Sequence, residues 1–473
     1  MKQIRKNARR VLFCLCGLFF LLVAYGAYSI TTSGGRWFSS SLNTFARKQR
    51  DNVIAGDLTD RNGVVLASTD AEGKRTYHQD AQVRTACVHI TGDRNGNVTK
   101  SMDRVQAAYL YGFNMSFPER LSYMFAGIPR KGDNVQLTVD SHLAAYAASI
   151  FPKDKSGAVV VMNYKTGEVL TEQSFPNFDP QGTASALAKK PYTNRAIDGL
   201  NAPGSTFKIV TAASAVANLG DYATRTFHCD GLLQLGNRTV TDAGTNLEEN
   251  KITKHGELNL LRAFQVSCNN TFARIALTLG DQKLRRTAED FGFNDNFLFR
   301  DLIVENSSYP TVNRTDGEIA WTGAGQSALQ VSPLHMCLVA SAVANRGVMM
   351  EPRMLLRAAS QGGSVREEFS AKVYRKPLTE SQAGVLKEYM RAVVTGGTGT
   401  AAQIPGVKVC GKTGSAELDS QKDTNAWFVG FLDEEKSPYA LAVVVEDAGG
   451  GGAVAAPIAR QLFQWLLSNG YGG

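Results

Sequence analysis

The stretch Ala202-Pro203-Gly204-Ser205-Thr206-Phe207-Lys208, followed by an apolar run from Ile209 to Leu219, decides how the rest of the chain is read. Proline and glycine end an irregular segment and hand over to strong helix formers, which places Ser205 at or next to a helix N-terminus. Lys208 then lies one turn on, on the same face. A serine hydroxyl is a weak nucleophile until a neighbouring base takes its proton, and a desolvated neutral lysine is such a base. The helix start adds backbone N–H groups suited to a developing oxyanion. An ordinary helix start with a solvated lysine would look the same, so the two readings are separated only by residues downstream.

Two short motifs follow in order. Ser267-Cys268-Asn269 falls in a break between helices expected over 257–264 and 270–279, so a hydroxyl and a carboxamide can project from a loop. Lys412-Thr413-Gly414-Ser415 follows an alternating strand over 407–410, so cationic and hydroxyl groups can alternate along an edge. Similar triplets occur elsewhere, at Ser41-Leu42-Asn43 and at Lys165-Thr166-Gly167, where a hairpin turn is expected. The specific signal is therefore the ordered set: helix start, interhelical loop, strand edge.

The surrounding pattern is α+β. A strand over 135–139 leads into an alanine-rich helix, and 157–162 with 167–170 form a hairpin. A mostly helical region follows, including 282–291 and 334–346. Strands return at 407–410, 426–432 and 439–445, closed by a helix over 453–467. Strands at both ends with helices between them predict one sheet completed by the C-terminal strands. Short runs and turn signals over 51–131 read as a small β-rich or mixed pedestal without evident chemistry.

The 473 residues, 43% hydrophobic and 20% charged, describe a folded chain with room for more than one domain. Part of the net charge of +8 sits in Lys2, Arg5, Lys6, Arg9 and Arg10, and no aromatic-interleaved basic stripe points to nucleic acid. Val11 to Ile30 carries no formal charge and has about the length needed to cross a bilayer. The cationic flank predicts a cytoplasmic tail over 1–10 and an extracytoplasmic remainder. Ala24-Tyr25-Gly26 offers a signal-cleavage pattern, but the apolar stretch continues past it, which favours an uncleaved anchor. Seven cysteines and six histidines are scattered without a metal-ligand spacing, and neither a metal nor a cofactor is expected. Cys268 and Cys410 read as packing residues, and Trp321 and Trp427 as core. Gly406 to Thr413 fits a nucleotide-binding P-loop pattern, but its strand-like interior and polar sequel exclude that loop.

The ordered motifs resemble those of the penicillin-binding proteins, the acyl-serine enzymes that cross-link peptidoglycan. Longer matches are Pro203 to Lys208, Gly323-Ala324-Gly325-Gln326, Ala426 to Phe431 and Ala455-Ala456-Pro457. Upstream the likeness thins to Gly56 to Gly63, with Ala55 where the family usually has arginine. The resemblance implies a penicillin-binding, β-lactamase-like transpeptidase domain over 135–473 with an antiparallel sheet and a helical region. It follows a stalk and pedestal over 31–134 and a transmembrane anchor over 11–30. One anchor, a small pedestal and no glycosyltransferase domain make the chain similar to the monofunctional, class B members.

By that resemblance Ser205 attacks the penultimate D-alanine carbonyl of a D-Ala-D-Ala stem peptide, with Lys208 as base. Ser267 relays a proton, Asn269 holds the substrate amide, and Lys412, Thr413 and Ser415 bind the terminal carboxylate. Gly414 allows close approach, and the backbone N–H groups of Ser205 and Ser415 form the oxyanion hole. The implied partners are stem peptides, β-lactams that acylate Ser205, and a separate membrane glycan polymerase. A β-lactam sensor, a resistance hydrolase and a D,D-carboxypeptidase share the motifs. The short tail disfavours the first, the anchor and pedestal disfavour the second, and the anchored architecture favours transfer over the third.

Overall fold

The computed structural model describes residues 2–39, 53–70, 72–113, 115, 117–185, 188–236, 238–246, 249–312, 314–416 and 424–470. The first element, α1 (Lys2–Ser39), contains a 24-residue candidate membrane span, Lys6–Ser29, whose most apolar 18 residues have a mean hydropathy of 2.3. At 1.5 Å per residue that span is about 36 Å long, enough to cross a hydrocarbon core of about 30 Å. The helix continues past Ile30 into the expected stalk, as far as Ser39, with no proline to stop it. The rest of that stalk, with Ser41-Leu42-Asn43, lies outside the described residues.

A six-stranded mixed sheet follows, in the order Val365–Glu368, Leu355–Ala359, Asn134–Leu137, Leu58–Thr59, Val65–Thr69, Arg75–Tyr77. Its turn at Asp60 to Val64 works as expected, since Asp60 Oδ1 accepts from the N–H groups of Asn62 and Val64. Ala55 is buried, and Arg75 supplies a guanidinium to the Gly56 carbonyl. Two of the six strands come from beyond residue 350. The hydrogen-bonding partners of Asn134–Leu137 are thus distant in sequence on both sides, which no local pattern reveals.

Beyond residue 140 the chain runs α2 (Ser141–Ile150), β1 (Gly157–Asn163), β2 (Val169–Phe175), α3 (Lys208–Asn218), α4 (Leu260–Val266), α5 (Asn269–Leu279), α6 (Pro333–Ala344), α7 (Glu380–Gly396), β3 (Val409–Ala416), β4 (Asn425–Leu432), β5 (Tyr439–Val445) and α8 (Ala455–Ser468), with further helices and strands between them. The five strands form one antiparallel sheet in the order β3-β4-β5-β1-β2, completed by the C-terminal strands as expected. Both faces are covered, so the inner strands β4, β5 and β1 read as near-continuous apolar runs, whereas the edge strands β2 and β3 carry polar residues. Val159, Val161, Phe428 and Val443 pack with α2 and α8, whereas Val160, Val429 and Val444 join the core containing α6 and α3.

Two expectations shift. Residues 257–259 belong to a strand, Gly256–Asn259, paired with Thr226–Cys229; the helix starts only at Leu260, where Asn259 Oδ1 caps it by accepting from Arg262 N–H. A second hairpin, Leu232–Leu235 with Arg238–Thr241, also interrupts the helical region. Strand β3 begins at Val409, not 407, and continues through Lys412 to Gly414 instead of ending before them. That extended strand is incompatible with a P-loop.

Candidate active site

Ser205 lies in a 3₁₀ turn, Gly204–Phe207, that leads directly into α3. Gly204 has φ +54°, and a Cβ there would stand 2.9 Å from the Ser415 carbonyl oxygen. Glycine thus satisfies both the turn and the close approach of β3. Gly325, in the quoted Gly323 to Gln326 motif, has φ +94°, and a Cβ there would come within 1.7 Å of the Gly204 carbonyl oxygen. The motif is a backbone support for the Ser205 turn.

Lys208 is wholly buried, and its Nζ has four oxygen neighbours. It donates to Asn269 Oδ1 at 2.6 Å and to Ser267 O at 2.7 Å, and faces Ser205 Oγ at 3.1 Å and Ser267 Oγ at 3.2 Å. Two of these oxygens are carbonyls that can only accept. A neutral amine has two N–H donors and one lone pair, so satisfying both carbonyls turns the lone pair toward the two hydroxyls. Burial pushes the Lys208 ammonium down to about 8, against smaller opposing effects from Cys268 and Asp242.

The Ser267 turn has a local cause. α4 ends at Val266, Ser267 takes a left-handed conformation (φ 61°), and Cys268 is extended as N-cap of α5, its sulfur accepting from Thr271 N–H. The break therefore presents the Ser267 hydroxyl and the Asn269 side chain together. Asn269 Nδ2 donates to Thr241 O at 2.9 Å, which fixes Oδ1 toward Lys208.

Strand alternation aims Lys412 at the same place. It is wholly buried and donates to Ser267 Oγ at 2.8 Å and to Thr413 O at 3.0 Å. Burial first, and repulsion from Lys208 second, hold its ammonium well below the usual lysine range. Ser205, Lys208, Ser267, Asn269 and Lys412 thus form one hydrogen-bonded group. The Thr413 and Ser415 hydroxyls are not part of it: Thr413 Oγ1 bonds Thr398 Oγ1 at 2.6 Å, and Ser415 Oγ accepts from Gly451 N–H at 3.4 Å. A Cβ on Gly451 would meet the Trp427 and Gly414 carbonyl oxygens at 2.2 and 2.4 Å, so the glycine run from Gly449 to Gly452 packs closely on β3 and braces it. The other Lys-Thr-Gly, at Lys165, is a hairpin turn whose ammonium donates to the Glu435 carbonyl.

Sequence patterns missed Thr398, Gly451 and Asp242. Asp242 Oδ1 accepts from the backbone N–H groups of Asn269 and Asn270 and so anchors the start of α5. None has a local signature, because each acts across a long sequence separation. The expectation that cysteines and histidines stay scattered is corrected by the fold: donor atoms of Cys229, Asp242, His255 and Cys268 all lie within 4.8 Å of one another. Cys410 and Trp427 are buried, as expected of core residues.

Residues 157–464 match the family model described as penicillin binding protein transpeptidase domain. The peptidoglycan D,D-transpeptidase PbpA of Mycolicibacterium smegmatis is 28% identical over 458 residues, covering 89% of this chain and 90% of the relative. The D,D-transpeptidase domain of a peptidoglycan glycosyltransferase from Eggerthella lenta has the same backbone course, with a TM-score of 0.75 and 28% identity over 88% of this chain and 99% of that one. Penicillin-binding protein A from M. tuberculosis, solved as its penicillin G acyl-enzyme complex, gives 0.76 and 26% over 88% of this chain and 100% of that one. A fold and sequence match of this extent, over a serine paired with a buried lysine, places the chain in the penicillin-binding protein transpeptidase family.

Proposed function

We propose that the chain is a serine-type peptidoglycan D,D-transpeptidase that β-lactams acylate at Ser205. The observation that carries this reading is the hydrogen-bonded group linking Ser205, Lys208, Ser267, Asn269 and Lys412. Lys208 takes the Ser205 proton as Oγ attacks the penultimate D-alanine carbonyl. The oxyanion forms at the backbone N–H groups of Ser205 and Ser415. Lys208 returns the proton through Ser267 Oγ to the departing nitrogen, the C–N bond breaks, and free D-alanine leaves an acyl ester on Ser205. An acceptor amine then loses its proton by the reverse route, attacks the ester and restores the serine hydroxyl.

Asn269 holds the substrate amide while Gly414 keeps β3 close to it. Lys412, Thr413 and Ser415 receive the terminal carboxylate, and that anion favours the charged form of Lys412 that burial disfavours in the free enzyme. The acyl-enzyme complex solved for the M. tuberculosis relative supports the same fate for a β-lactam here.

The apolar span supports a single-pass anchor over 11–30, with residues 1–10 cytoplasmic and the remainder outside; there a pedestal over 31–134 and a catalytic region over 135–473 share the six-stranded sheet. A site that only joins peptides acts beside a membrane glycan polymerase. The test is a transfer assay with full-length protein in detergent, a D-Ala-D-Ala stem peptide and a second stem amine. D-alanine release together with a new cross-linked amide is expected; release with only hydrolysed peptide would contradict transfer.

A further inference from the structure

We infer that Cys229, Asp242, His255 and Cys268 bind one Zn²⁺ ion that holds the Ser267–Asn269 turn from behind. The inference goes beyond the acyl-transfer reading and does not depend on it. Cys229 Sγ lies 3.0 Å from Asp242 Oδ2 and 3.6 Å from His255 Nδ1. Asp242 Oδ2 lies 3.5 Å from both His255 Nδ1 and Cys268 Sγ. A tetrahedral zinc with bonds of about 2.0–2.3 Å requires ligand separations of about 3.3–3.8 Å; the four separations above lie within a few tenths of an ångström of that range, and since all four donor atoms lie within 4.8 Å of one another, closing on the ion takes a movement of at most about 1 Å.

The ligand set argues for the metal class. Two thiols, an imidazole and one carboxylate suit Zn²⁺, whereas Mg²⁺ and Ca²⁺ prefer all-oxygen sites. Cys229, Asp242 and Cys268 are almost fully buried, while the His255 side chain keeps 22% exposure and leaves an entry side. A thiol is a weak hydrogen-bond donor and a poor partner for a buried carboxylate. A central cation satisfies all four donors at once.

The fold assembles these residues from separate pieces. Cys229 pairs with Gly256 across two strands, which sets His255 beside it; Asp242 follows the strand Arg238–Thr241; Cys268 precedes α5. Cys229 and Asp242 are 13 residues apart, and Asp242 and Cys268 are 26 apart, so no compact motif marks the site. Binding breaks two S–H bonds, forms two Zn–S bonds and releases two protons to solvent, with no redox change. The link to the reaction centre is direct. Cys268 stands between Ser267 and Asn269, and the free Asp242 oxygen accepts the Asn269 N–H.

The test uses full-length protein in detergent, reduced, equilibrated with Zn²⁺ or Co²⁺ and freed of excess. One zinc per chain by mass spectrometry is expected. Cobalt should give thiolate charge-transfer absorption and the visible bands of a tetrahedral site, both lost in Cys229→Ser and His255→Ala. Should those variants fail to fold, the cobalt spectrum of the unsubstituted chain still reports sulfur ligation. Chelation should slow benzylpenicillin acylation about 10–100-fold, and zinc should restore it. A folded chain that takes up no metal, cobalt bands indifferent to both substitutions, or a metal-free Cys229–Cys268 disulfide in protein fresh from cells would overturn the site. Unchanged acylation in a folded, metal-free chain would overturn its positioning role.

Discussion

Lys208 and Lys412 converge on one hydroxyl: Ser267 Oγ lies 3.2 Å from the first ammonium nitrogen and 2.8 Å from the second. Two cations cannot both be favourable there, wholly buried and without a carboxylate in the hydrogen-bonded group. Burial depresses both, and in the proposed mechanism Ser267 Oγ carries the proton from Lys208 to the leaving nitrogen. The hydroxyl is useful because its two neighbours differ in what else they touch. Asn269 Oδ1 and Ser267 O occupy the Lys208 donors, whereas Lys412 holds its own strand at Thr413 O.

Lys208→Arg should abolish the base, because guanidinium is never neutral at working pH. Stopped-flow acylation by benzylpenicillin should fall about 10²–10⁴-fold, the usual span for losing general-base assistance. A rate within a few fold of the parent would move the base elsewhere.

The pH profile follows from the same burial. Lys208 must be neutral to act, so acylation should rise with pH and level off above about 8. The stability sign is opposite to that of a paired lysine. The unfolded chain holds this proton up to about 10.5 and the native one only to about 8. Between those values the unfolded state binds more protons, so this group's contribution makes the fold more stable as pH rises through the window. An acylation profile flat from pH 6 to 10 would contradict the assignment.

Gly325→Ala should displace the Ser205 turn, since its Cβ would collide with the Gly204 carbonyl at a φ that favours glycine. Strain of at least about 1–3 kcal/mol is expected in thermal or denaturant unfolding, together with slower acylation. Normal values for both would show that this contact does not support the nucleophile.

Glu172, buried in β2, has Oε1 accepting from Asn194 Nδ2 at 2.9 Å and Oε2 without a partner among the described residues. Burial, ahead of repulsion from Asp198 and Asp301, raises its carboxyl to about 8 against an ordinary 4.5. The native state therefore keeps a proton that the unfolded state has lost between those values, and this contribution fades as pH rises through the window. Glu172→Gln should raise the unfolding midpoint at pH 8 by a few degrees and change it little at pH 5, by calorimetry. An equal shift at both pH values would mean that the carboxyl does not titrate there.

The fold was most legible where local chemistry and burial coincide. Tyr439–Val445 is apolar on both faces because helices cover both, and its limits could be read directly. Pro203-Gly204 announced the Ser205 turn, and Ser267 was placed in a helix break by the pattern around it. What escaped depends on partners far along the chain. Leu355–Ala359 joins Asn134–Leu137 through long-range hydrogen bonds, and Thr398 finds Thr413 only because α7 returns to β3. Four metal-type ligands in separate strands and loops look scattered until the hairpins close.

Acylation at Ser205 underlies every step proposed above, and intact mass of the full-length protein in detergent after benzylpenicillin reads it without a coupled assay. One added penicilloyl group is expected in the parent, in Ser41→Ala and in Lys165→Ala, and none in folded Ser205→Ala. An adduct that survives Ser205→Ala, or that disappears in either control, would contradict the account.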